Sequence, residues 1–227
     1  MPRYVDADQR RSDIIEAAGD AISQEGYARF TLRSLARRMG GSSTLVTHYF
    51  PTKDELMVAL TGRVLAESRD RARELEAIED PMERLRNVLV WFLPVDDEGM
   101  RQERVRVALA SHRDSEPSVA VLLDQIDPVM RDVLKIGLRG IVAPTHLDAT
   151  LDVVRAWASG VALLFVEHPQ VWTAERQMAT LDEFIEMLPL HLAPVERDGE
   201  PGRRRSGSTD GSRPGRPQAQ RRTSAAR

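Results

Sequence analysis

The chain has 227 residues, 41% of them apolar, which is enough to bury one or two cores. Its 32 basic and 35 acidic side chains leave a formal charge of −3, a balance that does not by itself point to nucleic acid. Cysteine is absent, which excludes disulfides and thiolate metal sites and fits a reducing compartment.

The opening residues, MPRYVDADQRRS, lack an apolar signal core, and no run approaches 18 consecutive apolar residues. Neither secretion nor membrane spanning is expected. Asp6 is a candidate N-cap, with Gln9 three residues on, for a helix whose apolar face runs through Ile14, Ala18, Ala21 and Ile22 and stops at Gly26. Thr31 caps a second helix bearing Leu32, Leu35 and Ala36, which stops at Gly40. Ser42 caps a third, very short one that ends before Pro51. Thr52 with Glu55 opens a long fourth helix through Leu56, Met57 and Leu60. Asp80-Pro81 with Glu83 starts a fifth, carrying Leu85, Val88, Leu89 and Phe92 and expected to stop at Pro94. Further helices are expected near residues 98–113, 116–140, 146–168 and 174–189, with Pro128 kinking or interrupting the second of these four. No period-2 pattern of useful length is present, so the fold class is all-α with about nine helices.

The second and third helices are joined by a short turn containing Gly40-Gly41, the layout of a helix-turn-helix. Ala36 is small enough for close helix contact, Met39 can plug the turn, and Leu45 or Val46 can reach the core. That leaves Ser43, Thr44, Thr47 and His48 outward, short hydrogen-bonding groups suited to base edges and phosphate oxygens. Arg33 can reach a guanine edge or a phosphate. Lys53 opens the next helix, where an ammonium and free N–H groups can hold a phosphate. The full candidate DNA-facing set is Thr31, Arg33, Ser42, Ser43, Thr44, Thr47, His48, Tyr49 and Lys53.

On these residues a family resemblance is specific. Residues 9–60, through RRSDIIEAAGDAISQEGYARFTLRSLARRMG, SSTLVTHYF and TKDEL, resemble the DNA-binding domain of TetR-family transcriptional regulators. The ending HYFPTKDEL is most similar to the BetI-type subgroup. The sequence departs from the wider family at Gly41, where Val is frequent, and at Thr47, where Tyr is common. The resemblance implies a homodimer on a palindromic double-stranded operator, acting most simply as a repressor released by a small organic, partly hydrophobic ligand. It also implies a helical ligand-binding domain, no cofactor, and a place in the bacterial cytoplasm on the nucleoid, with no membrane partner. The expected domains are residues 1–52 for DNA binding, 53–194 for ligand binding and dimerisation, and 195–227 as a disordered tail.

The C-terminal half supports that arrangement independently. Residues 146–168 carry one apolar stripe through Leu147, Leu151, Val154, Ala158, Val161 and Phe165 and a second through Val153, Trp157, Gly160 and Leu164. Two apolar faces exceed what one core needs, so a partner helix is expected on one of them. The expected dimer contacts are Leu151, Val154, Val161 and Leu164, with Leu181, Phe184, Ile185 and Leu188 from the following helix. Candidate pocket residues are Trp91, Phe92, His112, Trp157 and Phe165. His146, His168 and His191 lack metal-ligand spacing, and nothing resembles a nucleophile elbow, a phosphate loop or a paired-carboxylate site, so neither a metal nor a catalytic residue is expected.

From Arg197 onward nine Arg face three acidic residues in a Gly/Pro/Ser-rich segment with no apolar side chain larger than Ala. The rest of the chain then holds a net charge of about −9. The alternative reading is an architectural DNA-associated protein driven by this tail; such a negative body argues against it, and the ratio of specific to non-specific affinity separates the two.

Overall fold

A computed structural model describes residues 7–188; the Asp6 cap, His191 and the Arg-rich segment 195–227 lie outside the described residues. Nine α-helices follow one another without a strand among the described residues: α1 (Ala7–Glu25), α2 (Leu32–Arg38), α3 (Ser43–Tyr49), α4 (Lys53–Glu76), α5 (Pro81–Trp91), α6 (Asp97–Ala110), α7 (Pro117–Leu138), α8 (Leu147–Glu167) and α9 (Ala174–Met187). Their starts follow the expected chemistry. Thr31, Thr52 and Asp80 each accept a backbone N–H from three residues on, and Pro81 sits in the first turn of α5, where its missing N–H costs nothing. Ser42 stands at the N-cap position of α3, but its hydroxyl makes no capping bond.

Three details differ from the expectations. Helix α5 ends at Trp91, before Pro94. Helix α7 continues through Pro128 as one element, since a single lost i→i−4 bond is absorbed when the helix packs along much of its length on α4 and α5. The segment Pro144–Glu167 is also long and apolar enough on average to cross a membrane. In the fold it contains α8, which buries Leu151, Val154, Ala158, Val161, Ala162 and Phe165 against its own chain.

Two apolar clusters hold the helices together. One packs Ile14 and Ile22 of α1 with Tyr27, Phe30, Leu35, Val46, Phe50, Leu56 and Met57, and continues into Leu109, Val119 and Leu122 of α6 and α7. The expected boundary at residues 52/53 therefore falls at the start of a helix whose first turns belong to the N-terminal core. The other joins Leu75, Leu85, Val88 and Leu89 to Leu134, Leu138, Leu151, Val154 and Leu181. Arg84 ties the second cluster at its edge, donating to the carbonyls of Ile78, Ile136 and Arg139 and so satisfying the end of α7.

Candidate DNA-reading head and ligand cavity

The short helix α3 is positioned by its apolar residues. Val46 is fully buried, and Phe50 just beyond the helix is nearly so, leaving Ser43, Thr44, Thr47 and His48 exposed. Gly40, with φ of +68°, makes the reversal between α2 and α3, a backbone conformation that side chains with a Cβ adopt only with strain. At Gly41 a Cβ would approach Leu45 Cδ2 to 3.0 Å, so the Val frequent at this position elsewhere would require Leu45 to move in this chain.

The expected DNA-facing residues divide accordingly. Thr31, Arg33, Ser42, Ser43, Thr44, Thr47 and His48 are exposed. The Thr31 hydroxyl is engaged in the α2 cap, accepting the Ser34 N–H, and the Thr47 hydroxyl donates to the Ser43 carbonyl. Tyr49 is half-buried, with His48 edge-on to its ring at 5.1 Å between centroids. Arg37 and Arg38 are both exposed, with Arg38 held by Glu25 and Gln24. Arg11, which nothing in the sequence marked, lies over the Phe50 ring and donates to the Tyr49 carbonyl at the end of α3.

Lys53, expected to hold a phosphate, is half-buried. Its ammonium lies 3.6 Å from the centroid of the Tyr27 ring rather than being presented outward, and burial lowers its pKa. A residue chosen for phosphate contact is thus a cation over an aromatic face. The Tyr27 ring also meets the His112 ring edge-on at 5.2 Å, which ties the N-terminal core to the end of α6.

Between α1, α4, α6, α7 and α8 lies a cavity of about 500 Å³, within the range of small-molecule sites. Trp91 and Phe92 line it, as expected. His112, Trp157 and Phe165 do not. His112 faces Tyr27, Trp157 stacks on Phe184 at 4.1 Å, and Phe165 is buried in contact with Arg104. The polar lining was not anticipated: Arg63 from α4, Arg101 and Arg106 from α6, and Arg155 from α8 all reach it. Arg101 bridges to α1, pairing with Asp20 at 3.4 Å and crossing Gly19, where a Cβ would lie only 2.8 Å from Nη1.

The expected dimer contacts also need correction. Leu151, Val154, Val161, Leu181, Phe184 and Leu188 are buried by their own protomer and offer a partner little or no surface; Leu164 and Ile185 are half-buried. The sequence shows that α8 has two apolar faces but not which one turns inward. The outward one carries Val153 (57% exposed), Gly160 and Leu163 (41%).

Comparison with known proteins decides the lineage. Residues 14–60 match the profile of bacterial regulatory proteins of the tetR family, and residues 81–189 match that of the BetI-type transcriptional repressor C-terminal domain. The chain belongs to the TetR family. The BetI likeness, expected from the helix-turn-helix ending, thus extends to the C-terminal domain of this TetR-family regulator. It is 27% identical over 168 residues to the HTH-type transcriptional regulator PksA of Bacillus subtilis (strain 168), covering 72% of this chain and 82% of that one. It is 28% identical over 164 residues to the HTH-type transcriptional regulator BetI of Rhizobium meliloti (strain 1021), covering 71% and 80%. Among solved structures, a transcriptional regulator from Saccharomonospora viridis in complex with choline superposes with a TM-score of 0.71 at 20% identity, covering 79% of this chain and 97% of that one. This TetR-family protein is a transcriptional regulator with a DNA-binding helix-turn-helix and a ligand-binding C-terminal domain.

Proposed function

We propose that the protein is a repressor that binds a palindromic operator as a homodimer and is released when a small organic molecule fills the cavity between α1, α4, α6, α7 and α8. One observation carries the DNA side: every outward side chain over the first six residues of α3 is a short hydrogen-bonding group or His48, with exposed Arg33 and Arg37 beside them on α2. Ser43, Thr44, Thr47 and His48 meet base edges and sugar-phosphate oxygens, and Arg33 supplies the strongest candidate for bidentate guanine reading. Lys53 supports the start of α4 from its place over Tyr27. Reading a palindromic operator requires two copies, joined here through the outward stripe of α8, to set their α3 helices about one DNA turn (~34 Å) apart. The open space at Gly160 supports that joining, since a backbone without a Cβ permits close helix approach.

The cavity supports ligand control because Ile15 and Gly19 of α1 form part of its wall, so an occupant presses directly on the N-terminal core. The test is footprinting of the full-length protein on the DNA beside its own gene. The expected result is a two-fold symmetric protected region that is narrowed or lost with Arg33→Ala. Uniform protection of unrelated DNA at the same salt would favour the architectural reading instead.

A further inference from the structure

The cavity holds two arginines in opposite circumstances. Arg106 gives Nε and Nη2 to the two oxygens of Glu103, a bidentate pair whose pull outweighs burial and raises its pKa. Arg155, near it on α8, has five N–H donors and one long contact among the described residues, 3.5 Å to Asp127. Its side chain is only 25% exposed, and its guanidinium stands 5.7 Å from the centroid of the Phe92 ring. Burial, with the like charge of Arg106 adding to it, lowers the pKa of Arg155 despite Asp127 and Glu103. This is a cation three-quarters withdrawn from solvent whose one ion-pair contact in the described residues is long.

The acidic lining does not offer the opposite site. Glu67 receives Arg63 at 2.8 Å, Asp124 receives Arg113 at 2.8 Å, and Glu103 is taken by Arg106; Glu16 and Asp127, mostly exposed, lie 4.0 Å from Arg63 and 3.5 Å from Arg155. A cationic ligand would compete with an arginine already facing each of these carboxylates, and the Phe92 face is already shared with a guanidinium. A neutral ligand would leave Arg155 as it is. Beside it, Leu109, Leu122, Ile126 and Ala158 provide an apolar wall.

We propose that the cavity takes an organic anion with an apolar body, its carboxylate seated on Arg155 and its hydrocarbon laid along Leu109, Leu122 and Ile126. This rests on the ligand-responsive reading above and narrows it to one charge class, distinct from the choline bound by the Saccharomonospora protein.

Titration calorimetry of the full-length chain with octanoate, decanoate, dodecanoate and 1-naphthoate, against 1-decanol and choline, tests the assignment. At least one carboxylate is expected to bind once per protomer, at least tenfold tighter than 1-decanol or choline, and to loosen the footprint. Arg155→Gln is expected to weaken that carboxylate at least tenfold and Arg155→Lys to recover part of the loss, with thermal melting of both variants checking the fold. If Arg155→Gln does not fold, the wild-type preference for decanoate over 1-decanol decides alone. Choline or 1-decanol binding as tightly as the best carboxylate, a carboxylate indifferent to Arg155→Gln, or no carboxylate binding at all overturns the proposal. A footprint that persists in wild type alongside any of these leaves the regulator reading standing and removes only the anion; an absent footprint removes the reading itself.

Discussion

The N-terminal head and the helical body solve different problems with the same material. In the head, α2 and α3 are seven residues each, far too short to persist alone, and they exist because Leu35, Ala36, Val46 and Phe50 lock them to α1 and α4. The fully buried side chains of α2 and α3 are all apolar. In the body, α6 and α8 send arginines toward a cavity, where Arg155 keeps only a long contact to Asp127. A probe must keep its shape; a receptor must keep something in reserve. The two share one apolar cluster through Leu109, Val119 and Leu122, which makes the reserve mechanically relevant to the probe.

The largest expected effect sharpens the assignment of the faces of α8. Val161→Asp places a charge in the protomer core and should cost several kcal/mol, enough to abolish a cooperative melt. Leu163→Asp, one turn away from Gly160 on the outward face, should keep helicity and yield monomers in analytical ultracentrifugation. Monomers from Val161→Asp with a normal melt would reverse the assignment.

Next, Leu35→Ala should destabilise the protein by about 2–5 kcal/mol. Because the cluster crosses from head to body, calorimetry should show one transition. Two separate transitions would break the claim of a shared core. Arg33→Ala should leave the melt unchanged and cost about 1–3 kcal/mol on the operator, relaxing preference at one position. A binding-site selection with unaltered preference removes Arg33 from the base-reading set. The smallest effect is Thr31→Ala, which loses the α2 cap and should cost about 1 kcal/mol of stability, read as a shifted urea midpoint at constant slope.

How much of this was legible in the sequence follows the same division. Caps and turns are local: Thr31 meets Ser34, Thr52 meets Glu55, and Gly40 takes a positive φ, all within a few residues. The head could therefore be read almost residue by residue. Ser42, which makes no capping bond, Arg11 and Lys53 were not read this way; the partner of Lys53, Tyr27, arrives from another element, and an ammonium at a helix start looks the same whether it faces solvent or a ring. The body depends on pairs far apart in the chain. Trp91 and Phe92 were recognisable as cavity residues, but nothing local shows that Trp157 turns to Phe184 or His112 to Tyr27. The arginines of the lining were invisible for the same reason, since on an isolated helix each reads as a solvated charge. The two-faced apolar pattern of α8 was correctly seen and wrongly oriented, because periodicity counts faces without saying which neighbour covers each.

Lys53 has one more consequence. It and Lys135 are the only lysines in the chain, and they sit in contrasting surroundings, one over the Tyr27 ring and the other paired with Asp132 at an exposed position on α7. Acylating reagents thus find two side-chain amines, one shielded and one open, built into the native sequence. The pH dependence of their labelling rates, read by peptide mass spectrometry, separates the larger unprotonated fraction that burial gives Lys53 from the shielding by the Tyr27 ring, and it does so without adding a fluorophore or changing a residue.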